Sequence, residues 1–362
     1  MARIIFFVGT LREGGAERVI SLLSKELVAR GNIVEIVLYC NSPIFYEIDS
    51  NIRITKIEKE IGTKNIIKSV FWMRQYFKEN SDIVISFLAP FNMLCIASTI
   101  CSKIPLIVAD RNSPNKVPKN YFIRKIRDIL YCFADGIVLQ TNTNKNYFNN
   151  IVKKKSLVIP NPVDLGNRKG LGLRSKKIKE IVSVGRLMPQ KNQMLLIRAF
   201  EEIHHKYPEY VLTIYGEGPM REKLTEEIER LGIQEYVKLP GSMKNVIDKI
   251  SHAELFVLTS DYEGMPNALI EAMCLGLPVI STSVSGATDL IHSGKNGILI
   301  KLNDKNALVK AMQDLFTDHK LRLELGRNAE KIAEQLTLEN IVSMWCEFMQ
   351  VTMKKKGKKI KK

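Results

Sequence analysis

The sequence has no long hydrophobic run. None of its segments approaches the roughly 20 consecutive apolar residues that a membrane-spanning helix requires. The opening MARIIFFVGT carries an apolar run of only five residues, followed by Arg12, Glu13 and glycines, so a buried first strand is expected rather than a signal peptide. Cysteine is also sparse. The six residues, Cys40, Cys95, Cys101, Cys132, Cys274 and Cys346, form no CxxC pair and no Cys/His cluster, which argues against a zinc site or a disulfide framework. Free thiols in a reducing compartment are the simpler account, and a cytoplasmic protein, at most peripheral to the inner face of the membrane, is expected.

What the sequence does contain is a long alternation of strand and helix patterns. Its 362 residues exceed one usual domain, and 45% hydrophobic composition supplies substantial cores. Ile- and Val-rich runs at 3–8, 33–39, 82–88, 104–110, 136–141 and 156–161 alternate with helical patterns. A second series occupies 180–185, 210–216, 236–241, 255–260, 277–282 and 297–300. Such alternation predicts βαβ units and parallel sheets, hence two Rossmann-like, doubly wound α/β domains. The Gly-, Lys- and Arg-rich stretch 161–179 reads as a linker. The expected division is 1–165 and 166–336, with a terminal helix at about 337–352 able to cross back onto the first domain and a basic tail at 353–362.

Charge follows the same division. Residues 1–165 carry 23 Lys/Arg against 14 Asp/Glu, residues 166–353 carry 24 of each, and the tail from Lys354 holds seven lysines. A basic half suits anionic lipid, nucleic acid or a phosphorylated substrate, or else simply keeps the chain soluble. Recognition motifs with interleaved aromatics are absent, so nucleic acid is not an expected partner.

Open α/β sheets bind ligands beyond the carboxyl ends of their strands. In VSVGRLMPQKNQ, Gly185 permits a tight turn, and Arg186 and Lys191 precede a helix that begins near Asn192. Two cations beside a helix N-terminus suit a pyrophosphate, although an ordinary βα loop with solvated basic residues has the same composition. In DYEGMPNALIEAMCLGLPVIST (261–282), Glu263 and Glu271 stand eight apart across a turn, the second among Leu269, Ile270, Ala272 and Met273. A carboxylate in an apolar face needs a polar partner. Gly264, Met265 and Asn267 can offer backbone N–H groups, and the two glutamates can accept hydroxyl hydrogen bonds from the two sugars of a nucleotide-sugar. A glycosidase acid/base pair and a pair of surface carboxylates are the alternatives.

The pattern of EGMPNALIE, together with GRLMPQKN, YGEGP, IPNPVD (159–164) and GGAER (14–18), in this order and spacing, resembles the retaining glycosyltransferases of family 4, which adopt the GT-B fold. VADRNSPNK (108–116) is similar to a segment of bacterial enzymes that extend lipid-linked capsular or O-antigen oligosaccharides. The resemblance implies two Rossmann-like domains facing a central cleft and a nucleotide-diphosphate sugar donor, UDP favoured over GDP. It also implies a glycan or glycolipid acceptor. By that resemblance Arg186 and Lys191 hold the diphosphate and serve catalysis with Glu263, which holds the transferred sugar, while Glu271 holds the ribose. Gly14 and Gly15 let their loop approach the phosphates or acceptor, and the backbone at Pro240 and Gly241 lies near the base. The GEGP turn at 216–219 has a sufficient structural explanation and is only supporting.

One departure stands out. All five histidines, His204, His205, His252, His292 and His319, fall in the second half, whereas many family members carry one in the N-terminal domain. Asp110 and Arg111 occupy a strand end there instead and are the acceptor-side candidates. No Asp-x-Asp occurs, which agrees with catalysis without a divalent metal or other cofactor. A dinucleotide-dependent oxidoreductase would need G-x-G-x-x-G, which neither TLREGGAER nor VGRLMP supplies. A nucleotide-sugar epimerase on a similar scaffold stays open. Finally, IIKSVFWMRQYFK (66–78) and KNYFIRKIRDILYCF (119–133) mix aromatics, aliphatics and cations. Phe122, Ile126, Ile129 and Phe133 form a stripe that suits either packing on the sheet or an anionic membrane surface.

Overall fold

The computed structural model describes residues 1–357 apart from 64, 166, 167 and 244. It comprises two compact units, Met1–Pro162 together with the chain from Leu336, and Val163–Gln335. The division falls three residues before the expected one.

The first unit is built on seven parallel strands: β1 (Arg3–Val8), β2 (Ile33–Leu38), β3 (Arg53–Lys56), β4 (Ile83–Phe87), β5 (Leu106–Asp110), β6 (Gly136–Leu139) and β7 (Ser156–Val158). Their order is β3-β2-β1-β4-β5-β6-β7, so the winding reverses between β1 and β4. β4, β5 and β6 are buried at every residue, as strands covered on both faces must be, and this is why their apolar runs are continuous. β3 was not expected from the sequence; RITK is a short edge strand with one fully buried residue.

The helix Leu338–Lys355 belongs to this unit. It packs on the helix Gly15–Ala29 and on β5, burying Ile341, Val342, Trp345, Met349 and Met353. It continues through the first residues of the expected basic tail, and beyond it Lys356 Nζ pairs with Asp135 at 3.1 Å and donates to Ser102 O at 3.0 Å. Residues 358–362, the rest of that tail, lie outside the described residues.

The helix Tyr121–Tyr131 turns its apolar stripe outward, the second of the two orientations left open by the sequence. Its buried residues are Arg127 and Tyr131, whereas Phe122, Ile126 and Ile129 are exposed at 74%, 53% and 63%, with Phe133 just beyond at 55%. The alternative in which the apolar stripe packs on the sheet is thereby overturned. Polar anchors hold the helix instead. Arg127 donates to Val117 O (2.5 Å) and Pro114 O (2.8 Å) and pairs with Asp128, and Tyr131 donates its hydroxyl hydrogen to Asp110.

The second unit has six parallel strands: β8 (Ile178–Val184), β9 (Val211–Tyr215), β10 (Val237–Gly241), β11 (Ala253–Leu258), β12 (Val279–Thr282) and β13 (Ile298–Ile300). Their order, β10-β9-β8-β11-β12-β13, places the reversal between β8 and β11. The expected linker contains a helical turn, Leu171–Arg174, and its last two residues already belong to β8. The helical run after residue 304 is divided: Lys305–Thr317 and His319–Glu330 are capped by Asp304 and Asp318, whose carboxylates accept from Ala307 N and Leu321 N.

Candidate functional site

β8 and β11 lie side by side at the point where the second sheet reverses, and a ligand crevice is expected there, outside the carboxyl ends of the strands. The loops that leave these strands are 185–192 and 259–266. The 216–219 turn braces the first of them: Leu187 N donates to Glu217 O (2.9 Å) and Met220 N to Leu187 O (3.0 Å). At Gly216 (φ +148) a Cβ would stand 2.0 Å from Gly185 O, so only glycine permits this approach. The GEGP turn is a buttress.

The two loops are stapled together. Gln190 Nε2 donates to Tyr262 O (2.7 Å), Asp261 N to Gln190 O (2.8 Å), Thr259 Oγ1 to Lys191 O (3.1 Å) and Asn192 Nδ2 to Asp261 Oδ1 (3.0 Å). This brings together two residues that are 72 positions apart: Lys191 Nζ lies 2.5 Å from Glu263 Oε1. Their side chains are 19% and 10% exposed, so the pair is shielded but reachable. Ser260 Oγ donates to the same carboxylate oxygen (2.8 Å), and Ser285 Oγ to Glu263 O (2.7 Å). Arg186 is different. Its backbone carbonyl accepts from buried Gln193 (3.0 Å), while its side chain is exposed and has no hydrogen bond or ion pair among the described residues.

Gly264 and Met265 are buried in the same loop, and Asn267 opens the helix Asn267–Cys274, the start expected from the sequence. Glu271 is buried at 5% exposure one turn inside this helix. A Cβ on Gly286, in the helix Ser285–Leu290, would stand 2.5 Å from Gly264 O and 2.8 Å from Met265 Cα. The loop therefore rests directly on that glycine. Gly241 ends the edge strand β10, and its carbonyl accepts from Gly216 N (3.0 Å).

The remaining candidates belong to the first unit. Gly14 is the N-cap of the helix Gly15–Ala29, and the Tyr46 hydroxyl engages both its N–H (3.2 Å) and its carbonyl (2.9 Å). Asp110 and Arg111, the acceptor-side candidates, are 1% and 7% exposed. Burial pushes the Asp110 carboxyl up, while Arg127, the Asn112 N–H and the Tyr131 hydroxyl oppose the shift. Arg111 donates to Asn161 Oδ1 (2.8 Å) and stands over the rings of Phe87 and Trp345. Burial lowers its guanidinium to about 9. Both side chains are buried in the first unit; Asp110 accepts from Tyr131, and Arg111 keeps Nε and Nη2 without a hydrogen-bond partner among the described residues. Ser260, Ser285, Gly286, Gln190 and Asn192 are site residues the sequence reading missed. The one available signal was the hydroxyl pair Thr259-Ser260 at the end of β11.

Residues 13–167 match the family described as Glycosyltransferase Family 4, and residues 167–332 match Glycosyl transferases group 1. An uncharacterised glycosyltransferase of Methanocaldococcus jannaschii is 30% identical over 335 residues, covering 77% of this chain and 82% of that protein. The chain belongs to the family 4 glycosyltransferases. Membership decides for transfer over epimerisation, and the enzyme is a hexosyltransferase. It is also 29% identical, over 96% of its length and 98% of the relative's, to a Campylobacter jejuni enzyme. That relative is named GalNAc-alpha-(1->4)-GalNAc-alpha-(1->3)-diNAcBac-PP-undecaprenol alpha-1,4-N-acetyl-D-galactosaminyltransferase. The crystal structure of Anabaena HepE in complex with UDP and glucose superposes with a TM-score of 0.81 at 18% identity, covering 97% of this chain and 100% of that one. The fold is GT-B, as the resemblance implied.

Proposed function

We propose that this glycosyltransferase moves a hexose or N-acetylhexosamine from a nucleoside diphosphate sugar, with UDP as the nucleotide, to a lipid-linked glycan of a surface polysaccharide. The observation that carries the donor assignment is the pairing of Lys191 with Glu263 across the two loops at the reversal point of the second sheet, with Arg186 on the first loop and Glu271 one turn into the helix that follows the second. Arg186 and Lys191 hold the diphosphate and stabilise the charge that develops on it as the glycosidic bond breaks. Glu263 orients the hexose hydroxyls and Glu271 accepts from the ribose. The leaving diphosphate takes the acceptor's hydroxyl proton on the face where the new bond forms, so the anomeric configuration is retained. The two cations supply the electrostatic work, and transfer proceeds without a bound divalent metal. The names of the Campylobacter relatives, which act on undecaprenyl-diphosphate glycans, support the acceptor class.

The membrane assignment rests on the outward-facing stripe of the helix Tyr121–Tyr131. The helices Ile66–Asn80, Ala89–Thr99 and Tyr121–Tyr131 pack in succession, and the outer two expose Ile66, Ile67 and Phe71, and Phe122, Ile126 and Ile129. The basic first unit supplies attraction of about 1 kcal/mol per Lys or Arg near an anionic surface. Among the described residues, no helix is long and apolar enough to cross a membrane.

A transfer assay tests the reading. Nucleotide-sugars are offered with an undecaprenyl-diphosphate-linked glycan in anionic vesicles with excess EDTA, and the product is examined by NMR. Retained configuration in the presence of chelator is expected; an inverted product, or abolition by EDTA, contradicts it. Vesicle sedimentation without acceptor checks the surface: binding should require anionic lipid, weaken with salt and fall with Phe122→Ser/Ile126→Ser.

A further inference from the structure

Among the described residues, Lys191 and Glu263 are each other's ion-pair partner, at 2.5 Å in a shielded site. Yet the donor-site reading, on which this inference rests, asks each for a different part of the ligand: the cation for the diphosphate, the carboxylate for the hexose. The two ends of the pair are not equally free. Glu263 is fixed by Ser260 at its side chain and by Ser285 at its backbone. Lys191 is a point charge on a flexible stem, and a shift of its ammonium costs little.

We infer that the Lys191–Glu263 ion pair is an internal stand-in for the donor, and that its exchange makes the site favour the intact nucleotide-sugar over the nucleoside diphosphate product. A diphosphate draws Lys191 off Glu263. With the sugar present, its hydroxyls replace the ammonium at the carboxylate, and both charges remain satisfied. With the sugar gone, Glu263 is left as an unpaired, largely buried charge, which is unfavourable. Lys191 then returns to Glu263 and the spent nucleotide leaves. Ser260 is a positioning residue in this cycle, because it stays on Glu263 Oε1 throughout.

Calorimetry with UDP and with GDP tests the inference, following whichever nucleotide the wild-type protein binds. Glu263→Gln keeps the side-chain shape and frees Lys191, so nucleoside diphosphate should bind at least about threefold tighter than to the wild type. Glu263→Asp, which withdraws the carboxylate, should shift affinity in the same direction. In the Lys191→Met background the Glu263→Gln gain should disappear. Unchanged or weaker diphosphate binding in both Glu263 variants overturns the exchange. A gain that persists in the Lys191→Met background also overturns it, because it then reports only the removal of a negative charge. Failure of the wild type to bind either nucleotide overturns the donor-site reading itself, a distinguishable result. Urea unfolding of each variant confirms that the folded protein is being compared.

Discussion

Arg127 Nη1 lies 3.9 Å from Asp110 Oδ2 with both side chains in the interior, while Phe122 and Ile126 on the same helix stand in solvent. Removing one member of a buried pair leaves the other uncompensated, so Arg127→Met should destabilise the first unit by about 3 to 5 kcal/mol. Phe122→Ser/Ile126→Ser removes no buried contact and should change stability by less than about 0.5 kcal/mol per site. Urea unfolding separates the two; a large loss in the serine variant would mean that the stripe packs on the protein.

Gly286→Ala should weaken the site through the loop that rests on it. The added methyl meets the Gly264 carbonyl, Met265 Cα and Pro266 Cδ, and two of these are backbone atoms that cannot rotate aside. The displaced loop should lower donor affinity by about tenfold, because misplacement of a positioning group is costly even when every ligand-binding side chain remains. Calorimetry with UDP-sugar checks this, and wild-type affinity in a folded Gly286→Ala protein would remove the loop from the site.

Away from the site, Glu227 sits between Arg230 and Arg198, which hold its carboxyl at about 2. A depressed carboxylate contributes stability that is present above the unfolded value of 4.5 and is lost as pH falls through the folded one. The arginines are 53% and 64% exposed, so solvent screening limits Glu227→Gln to a loss of about 1 kcal/mol or less at pH 7. The difference between variant and wild type should shrink from pH 4.5 towards pH 2. A pH-independent difference in urea midpoints would contradict the ion-pair origin.

Much of the architecture was legible because parallel strands covered on both faces write themselves as continuous apolar runs, as in IVISF and LIVAD. β3 was not, since an edge strand with a polar alternation and only Ile54 in the pattern resembles a loop. Periodicity located the stripe Phe122, Ile126, Ile129 and Phe133 but could not say which way it faces. That is decided by Arg127, with its acceptors at Pro114 and Val117 and its charge partner Asp110, which only tertiary structure assembles. For the candidate site, strand ends and motif spacing singled out Arg186, Lys191, Glu263 and Glu271. The pairing of Lys191 with Glu263 could not, because it depends on loops from β8 and β11 being stapled by Gln190, Asn192 and Thr259.

In the proposed donor site, Arg186 and Lys191 hold the diphosphate of a donor whose ribose is held by Glu271. Calorimetry with two ligands, UDP and inorganic pyrophosphate, tests it most directly. Hydrogen bonds to charged groups contribute about 1.5 to 3 kcal/mol, so Arg186→Ala and Lys191→Ala should each weaken both ligands by about tenfold or more. Glu271→Ala should weaken UDP and spare pyrophosphate. Unchanged UDP affinity in both cation variants, or equal loss of UDP and pyrophosphate in Glu271→Ala, would contradict the account.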